Sequence, residues 1–211
     1  MRSFLALGLI LSLSACEDRD AWWERQFALD DAIGPVWDVA IASQWYELEN
    51  GRWPTSIDQV ADLDEALGQV VRQPPEPVPI PDASAFNSVR FEPVGDSLLR
   101  VHFDLAPFAA PSRGEVEIQD ESGPSRMYSP PATTVSRSRG IIEIPAYREE
   151  RISDLETRVT LADAAVQTEA GTTYEFEDEQ RDLQPVIFLE PLGSATPAKP
   201  QNPPLQADST L

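Results

Sequence analysis

Residues able to support nucleophilic or metal chemistry are scarce in this sequence of 211 residues, which has one cysteine, Cys16, and one histidine, His102. That pair is too small for a structural zinc site or a cysteine–histidine catalytic pair. His102 falls on the polar side of an alternating stretch, where a solvated or structural role is expected. No serine lies in Gly-x-Ser-x-Gly, and no glycine-rich phosphate loop is present. We therefore predict no catalytic residue, no cofactor site, no metal site and no enzyme activity.

Carboxylates are the abundant candidates: 36 acidic residues stand against 16 basic ones, a net charge of −20. Such a charge repels phosphate backbones, so we predict no nucleic-acid partner and favour a protein partner with a basic patch. The run formed by Glu175 and residues 177–179 lacks the glycine and ligand spacing of a calcium loop, which favours a solvated strand end over weak cation binding. Paired carboxylates acting as acid and base, as in sugar hydrolysis, remain an alternative.

The N-terminus has the pattern of a secretion signal. Arg2 supplies a short positive start, and an apolar run follows at residues 4–13. This run is too short to span a bilayer as a permanent helix, whereas its length and flanks are typical of a secretory signal peptide. We expect residues 1–15 to be removed. Because Arg2 leaves with them, the mature chain has 36 acidic and 15 basic residues, a net charge of −21.

The last residues of this signal, Leu13-Ser14-Ala15-Cys16, resemble the lipobox of bacterial prolipoproteins. The resemblance implies cleavage before Cys16 and acylation of its thiol with diacylglyceryl and palmitate-type chains, which anchor a protein stably. Glu17 follows Cys16 where an aspartate would favour inner-membrane retention. We therefore predict a lipid-anchored envelope protein, in the outer membrane rather than the inner one.

A long amphipathic helix is predicted for residues 22–49. Its apolar positions recur at helical spacing, at Trp23, Phe27, Ile33, Trp37, Ile41, Trp45 and Leu48. The opposite face carries acidic residues: Glu24, Asp30, Asp31, Asp38 and Glu47. Gly34-Pro35 predicts a kink or a break, and Asn50-Gly51 predicts the end. The aromatic stripe is interpreted as core, with a groove for a partner helix as the alternative.

Shorter elements follow. Ser56 and Gln59 predict a capped helix at 57–67, and five prolines within residues 74–81 predict a polyproline segment. It is either a ligand for a proline-reading domain or a stiff crossover. Alternating residues then predict strands at 89–91, 99–105 and 116–118. A helix followed by an antiparallel meander gives an α+β fold, with Trp37, Ile41 and Trp45 packed on the sheet.

The later part of the chain predicts further β-structure, with candidate strands at 141–144, 158–161, 173–176 and 186–189 and a helical turn at 148–155. The Pro-, Ala- and Gln-rich end, 191–211, is expected to be disordered. The predicted organisation is a signal peptide (1–15), a lipid-anchored linker (16–21), a helix with an antiparallel sheet (22–123), a β-rich extension (124–190) and a disordered tail (191–211).

Residues 42–56, Ala-Ser-Gln-Trp-Tyr-Glu-Leu-Glu-Asn-Gly-Arg-Trp-Pro-Thr-Ser, resemble the end of the long helix in type IV pilins and pseudopilins. The resemblance extends over about residues 22–123 and implies a pilin-like α+β domain. It also implies a role accessory to pilus or type II secretion assembly. The lipobox and the acidic residues 17–20 replace the apolar helix half of pilins, and a disulfide cannot form. A membrane-tethered domain is therefore expected instead of a filament subunit.

The function predicted from the sequence is a non-enzymatic, membrane-anchored envelope lipoprotein with a pilin-like domain that binds another protein. We expect it to stay at the membrane surface as a monomer or small oligomer. Two alternatives remain open: a lipid-anchored hydrolase with an acidic site, and a passive acidic surface lipoprotein.

Overall fold

The structure, a computed structural model, describes the backbone of residues 2–63, 69–70, 76–118, 125–147 and 156–183. Side chains are described from residue 19 onward, apart from 69, 70 and 76. The predicted strand at 186–189, the helical turn at 148–155 and the tail at 191–211 all lie outside the described residues.

One helix, α1 (Arg2–Asn50), dominates the first quarter of the chain. The break predicted at Gly34-Pro35 is wrong, since the helix continues through both residues. A proline ring usually clashes with the Cβ of the residue before it, and Gly34 has no Cβ. The predicted end is confirmed: Gly51 has φ of 64° and donates its N–H to the Glu47 carbonyl at 2.8 Å.

A short second helix, α2 (Ile57–Ala61), follows the Trp53-Pro54 segment. The predicted capping bond from Ser56 is absent from it. Instead, Oε1 of Gln59 accepts hydrogen bonds from the backbone N–H of Thr55 at 2.7 Å and from its hydroxyl at 3.3 Å. The glutamine side chain therefore holds the residue before the cap position.

Strands account for most of the remaining described chain. They are β1 (Gln69–Val70), β2 (Glu76–Pro77), β3 (Phe86–Val94), β4 (Leu98–Leu105), β5 (Phe108–Ala109), β6 (Val116–Ile118), β7 (Arg126–Tyr128), β8 (Thr133–Pro145), β9 (Thr157–Thr168), β10 (Thr173–Phe176) and β11 (Glu179–Leu183). The main sheet is antiparallel with seven strands in the order β10-β9-β8-β4-β3, where β11 also pairs with β9 and β5 with β8. Two small ribbons, β1-β2 and β6-β7, stand apart from it.

The predicted α+β, pilin-like fold class is wrong, because the protein is mostly β. Of the residues with described side chains, 43% lie in strands and 29% in helices. A helix does pack on an antiparallel sheet, but β6 leaves that sheet and pairs with β7. β4 pairs with β3 on one side and with β8 on the other, and the predicted boundary at residue 123 falls in sequence between β4 and β8. The long strands β8 and β9 offer more backbone pairs and a longer apolar face than β6 does.

The face of α1 that meets the sheet is made of small and branched aliphatic residues, which form one core with the inward side chains of the strands. The helix supplies Ala28, Leu29, Ala32, Ile33, Val36, Val39 and Ala40. The hydroxyl of Ser138 on β8 donates to the Ala32 carbonyl at 2.7 Å. Alanine at these positions lets the helix backbone come this close to the sheet.

The predicted packing on the sheet is wrong for Ile41 and Trp45, whereas Trp37 does pack against the core that α1 forms with the sheet. Ile41 and Trp45 are buried against Val78, which belongs to the proline-rich segment, with Trp37 at the edge of the same cluster. The proline-rich segment thus covers the aromatic side of α1, as a crossover would. Asp31 and Glu47 are also buried, although the sequence places them on the solvent face opposite the aromatic stripe. The helix is therefore covered on more than one side.

The opposite face of the sheet is polar and carries a row of alternating charges across five strands. Strand register places Glu92, Arg100, Glu143, Arg158 and Asp182 side by side. Nε of Arg100 lies 2.8 Å from Glu143, and Nε of Arg158 lies 2.7 Å from Asp182. Opposite charges on facing positions stabilise a sheet and keep this face solvated. The inward side chains Leu99, Val101, Phe103 and Leu105 of β4 are instead buried on the helix side.

Candidate functional site: an acidic groove beside the helix

A groove with a volume of about 530 Å³ lies beside the middle of α1. We name it the acidic groove, and it is lined by Asp30, Asp31, Gly34, Pro35, Trp37, Asp38, Asp82, Ala85, Phe108, Ala109, Ala110, Pro111, Ser112 and Arg113. Gly34 has no side chain to fill its part of the groove, and no atom of the described residues lies within 4 Å of the place where its Cβ would be. The glycine that lets proline sit inside the helix therefore also opens the groove.

Arg113, which lines the groove, binds two consecutive carboxylates of α1. Its guanidinium donates to Asp31 at 2.6 Å and lies 3.8 Å from Asp30. The Thr133 hydroxyl donates to the second oxygen of Asp31, also at 2.6 Å. Asp31 is 8% exposed, and a carboxylate buried this deeply requires such paired, charge-assisted bonds. The contacts join the loop after β5 to the helix.

Asp30 differs from its neighbour in electrostatic character. Burial raises the pKa of Asp30, and the nearby Asp31 carboxylate adds to that rise, while Arg181 and Arg113 act in the opposite direction. Arg181 on β11 donates to Asp30 at 2.9 Å. Because desolvation is the largest influence, the arginines only partly compensate for the loss of water around this carboxylate.

Asp38 and Asp82 also line the groove. Asp82 accepts from the backbone N–H and the hydroxyl of Ser84, and these bonds lower its pKa, so the carboxyl stays ionised. Four carboxylates and one guanidinium among the lining residues give the groove a formal charge of −3. Its apolar lining includes Trp37, Phe108 and Pro111. The arrangement suits a ligand with a positive end and an apolar body.

The residues singled out from the sequence lie elsewhere. Cys16 belongs to α1, but the structure describes only its backbone and not its side chain. His102 stands on the polar sheet face with Nε2 at 3.0 Å from Glu92. In the acidic run, Glu179 binds Arg25 at 2.8 Å and Glu175 lies 3.4 Å from Arg137. That run is a strand end with arginine partners.

Sequence reasoning missed the groove because its walls come from distant segments. Arg113, Phe108 and Asp82 sit in stretches without any periodic pattern, and no local signal marks their meeting with α1. The one signal available was Gly34-Pro35, which implied an irregular helix surface but gave no indication of what faces it.

Among the described residues, no group of three or more His, Cys, Asp or Glu side chains could hold a metal ion. No helix in that described part is long and apolar enough to cross a membrane. The chain matches no protein-family model, no curated protein and no solved structure. The functional interpretation of the groove therefore depends on its own geometry and on the sequence motifs.

Proposed function

We propose that this chain is a non-enzymatic, lipid-anchored protein of the cell envelope whose folded domain binds a partner protein in the acidic groove. The observation that carries the proposal is the groove itself, whose lining combines four carboxylates with apolar side chains. The matching partner segment presents Lys or Arg beside an apolar side chain. The basic side chain of such a segment is attracted both by the carboxylates of the groove and by the negative net charge of the whole chain.

The anchor in this proposal is the lipid on Cys16, supported by the lipobox-like residues 13–16 at the end of a secretion signal. The residue after it, Glu17, supports the outer membrane as its location. A role accessory to pilus or secretion assembly remains a prediction from the sequence resemblance alone.

Replacing Cys16 with serine is expected to abolish acylation completely, because the serine hydroxyl does not replace the thiol as acceptor of the diacylglyceryl group. Growing cells with a clickable palmitate analogue and isolating the protein measures this directly. The wild-type chain should carry label in the membrane fraction, and the variant should appear unlabelled, as precursor or soluble protein. Label retained on the Cys16→Ser chain would show that the anchor is elsewhere.

The groove's charge is tested by a variant with Asp38→Asn and Asp82→Asn. The probe is a fluorescein-labelled peptide of alternating lysine and leucine, and its affinity is measured by fluorescence anisotropy. Losing two surface charge contacts is expected to weaken binding by roughly 2- to 30-fold, at about 0.2–1 kcal/mol each. Salt above about 0.1 M should weaken wild-type binding and have less effect on the variant.

The matched control carries Glu169→Gln and Glu177→Gln, which remove the same two charges from exposed positions outside the groove. It should bind the peptide like wild type. Ala109→Trp, which fills the groove without changing charge, should abolish binding. If both double variants bound the peptide equally weakly, the loss of affinity would be due to net charge alone, and this would contradict a site in the groove.

The hydrolase alternative has one observation in its favour, the raised pKa of Asp30 beside other carboxylates in a groove. Both Asp30 and Asp31 are already bound to arginines, however, and this leaves them poorly placed to transfer protons. Chromogenic glycoside and ester substrates, assayed with wild-type protein and Asp30→Asn, distinguish the two functions. Turnover that disappears in the variant would favour the hydrolase.

A further inference from the structure

Four aromatic rings form a continuous cluster where α1 enters the folded domain. Trp22 and Trp23 meet edge-to-face with ring centres 4.7 Å apart, and Trp23 lies 6.1 Å from Phe27. Phe27 stacks on Tyr128 of β7 at 5.8 Å. We name these residues the aromatic cluster. Trp22 is 52% exposed, so a large indole surface is left in contact with water.

The cluster lies close to the proposed acylation site along a continuous helix. Trp22 follows Cys16 by six residues, which is about 9 Å of helix. Trp23 follows by seven and Phe27 by eleven, so both lie on nearly the same helix face as position 16. Acyl chains on residue 16 would hold this part of the helix at the bilayer surface, and Trp22 and Trp23 would then lie about 9–10.5 Å of helix from the anchor.

Two arginines close to the cluster form ion pairs within the domain. Arg126 binds Asp20, and Arg25 donates to Glu179 at 2.8 Å. The chain as a whole is strongly acidic and is repelled by anionic headgroups. The aromatic rings therefore supply the attraction between this end of the folded domain and a bilayer. Tryptophan and tyrosine prefer the polar–apolar boundary of a bilayer, and this preference does not depend on anionic lipid.

We infer that the aromatic cluster is a membrane-docking surface, with Trp22 and Trp23 inserted into the headgroup region of a zwitterionic bilayer. This rests on the proposed lipidation of Cys16 and gives that anchor a defined orientation. The acidic groove, at residues 30–38 of α1, then lies about 21–33 Å along the helix from the anchor. Docking thus presents the groove to partners beyond the headgroups.

The test uses the acylated mature protein in phosphatidylcholine vesicles that contain lipids brominated at a shallow or a deep carbon. Bromine quenches only nearby tryptophan fluorescence. We expect quenching of the wild-type protein, stronger from the shallow position. Trp22→Ala should remove roughly half of it, since Trp22 and Trp23 lie at similar depth. Replacing part of the lipid with phosphatidylglycerol should not increase it.

Trp53→Phe is the matched control, because Trp53 is buried far along the chain and its indole N–H has no hydrogen-bond partner among the described residues. This variant should keep the full quenching. The protein could carry acyl label and co-sediment with vesicles but show no quenching. This result would overturn docking and leave the anchor intact, and it would mean that the exposed indole contacts a protein instead. Protein without acyl label would overturn both the anchor and the docking.

Discussion

Replacing Trp45 with alanine is expected to lower the free energy of unfolding by about 3–5 kcal/mol. Trp45 is only 2% exposed and packs with Ile41 and Val78. Removing its indole leaves a cavity between α1 and the proline-rich segment, which neither can easily close. Since a domain of this kind is stable by about 5–15 kcal/mol, the loss is a large share of the total. Urea unfolding followed by circular dichroism measures it.

Trp22→Ala is the control for that experiment, because a half-exposed indole contributes little, and a change within about 0.5 kcal/mol is expected. A double-mutant cycle locates the packing partner. Trp45→Ala and Val78→Ala should couple by about 0.5–3 kcal/mol, whereas Trp45→Ala and Val101→Ala should be nearly additive. Coupling to Val101 instead would place the indole against the sheet, as the sequence had suggested.

Replacing Gly140 with alanine is expected to destabilise the domain by about 1–3 kcal/mol or more. Gly140 lies on β8 where its register with β9 shifts. An added Cβ would stand 2.2 Å from the Thr160 carbonyl oxygen and 3.0 Å from the Leu161 Cα. Both are backbone atoms of the paired strand, so relief requires moving the ladder between the two longest strands.

Gly114→Ala provides the comparison, since no atom of the described residues lies within 4 Å of its added Cβ. Thermal unfolding of the two variants should differ clearly, with Gly114→Ala melting close to wild type. Equal melting temperatures for Gly140→Ala and wild type would mean that β8 and β9 are further apart at this point than the structure places them.

Several local elements were predictable from the sequence because their signals are short-range. The alternation from Leu98 to Leu105 fixes which side chains share a face, and the strand buries Leu99, Val101, Phe103 and Leu105 as that pattern predicts. The helix stop at Asn50-Gly51 and the strand at Thr173–Phe176 were confirmed for the same reason. Each depends on the conformational preferences of a few adjacent residues.

Two errors are local, the break predicted at Gly34-Pro35 and the capping bond predicted for Ser56. The others concern contacts between distant segments. Periodicity identified the aromatic stripe of α1 as buried but not its partner, because an apolar face packs equally well on a sheet or on a proline-rich crossover. The alanine-rich face that meets the sheet has a weak hydrophobic signal, although its small side chains permit the closest approach. The fold class was missed because β8 pairs with β4, and strand partners far apart in sequence leave no local trace.

By itself the sequence determined the long helix and the strand faces, since each depends on residue types at fixed short spacings. The secretion signal and the lipobox-like site at Cys16 are predictions from the same kind of local pattern. Only the tertiary structure decided where the acidic residues of α1 would lie. Arg113, Arg126 and Arg181 come from three separate later segments and bind Asp31, Asp20 and Asp30 of the helix. Complementary charges attract across any sequence separation, so the chain's path, and not its local pattern, selected those pairs and formed the acidic groove beside them.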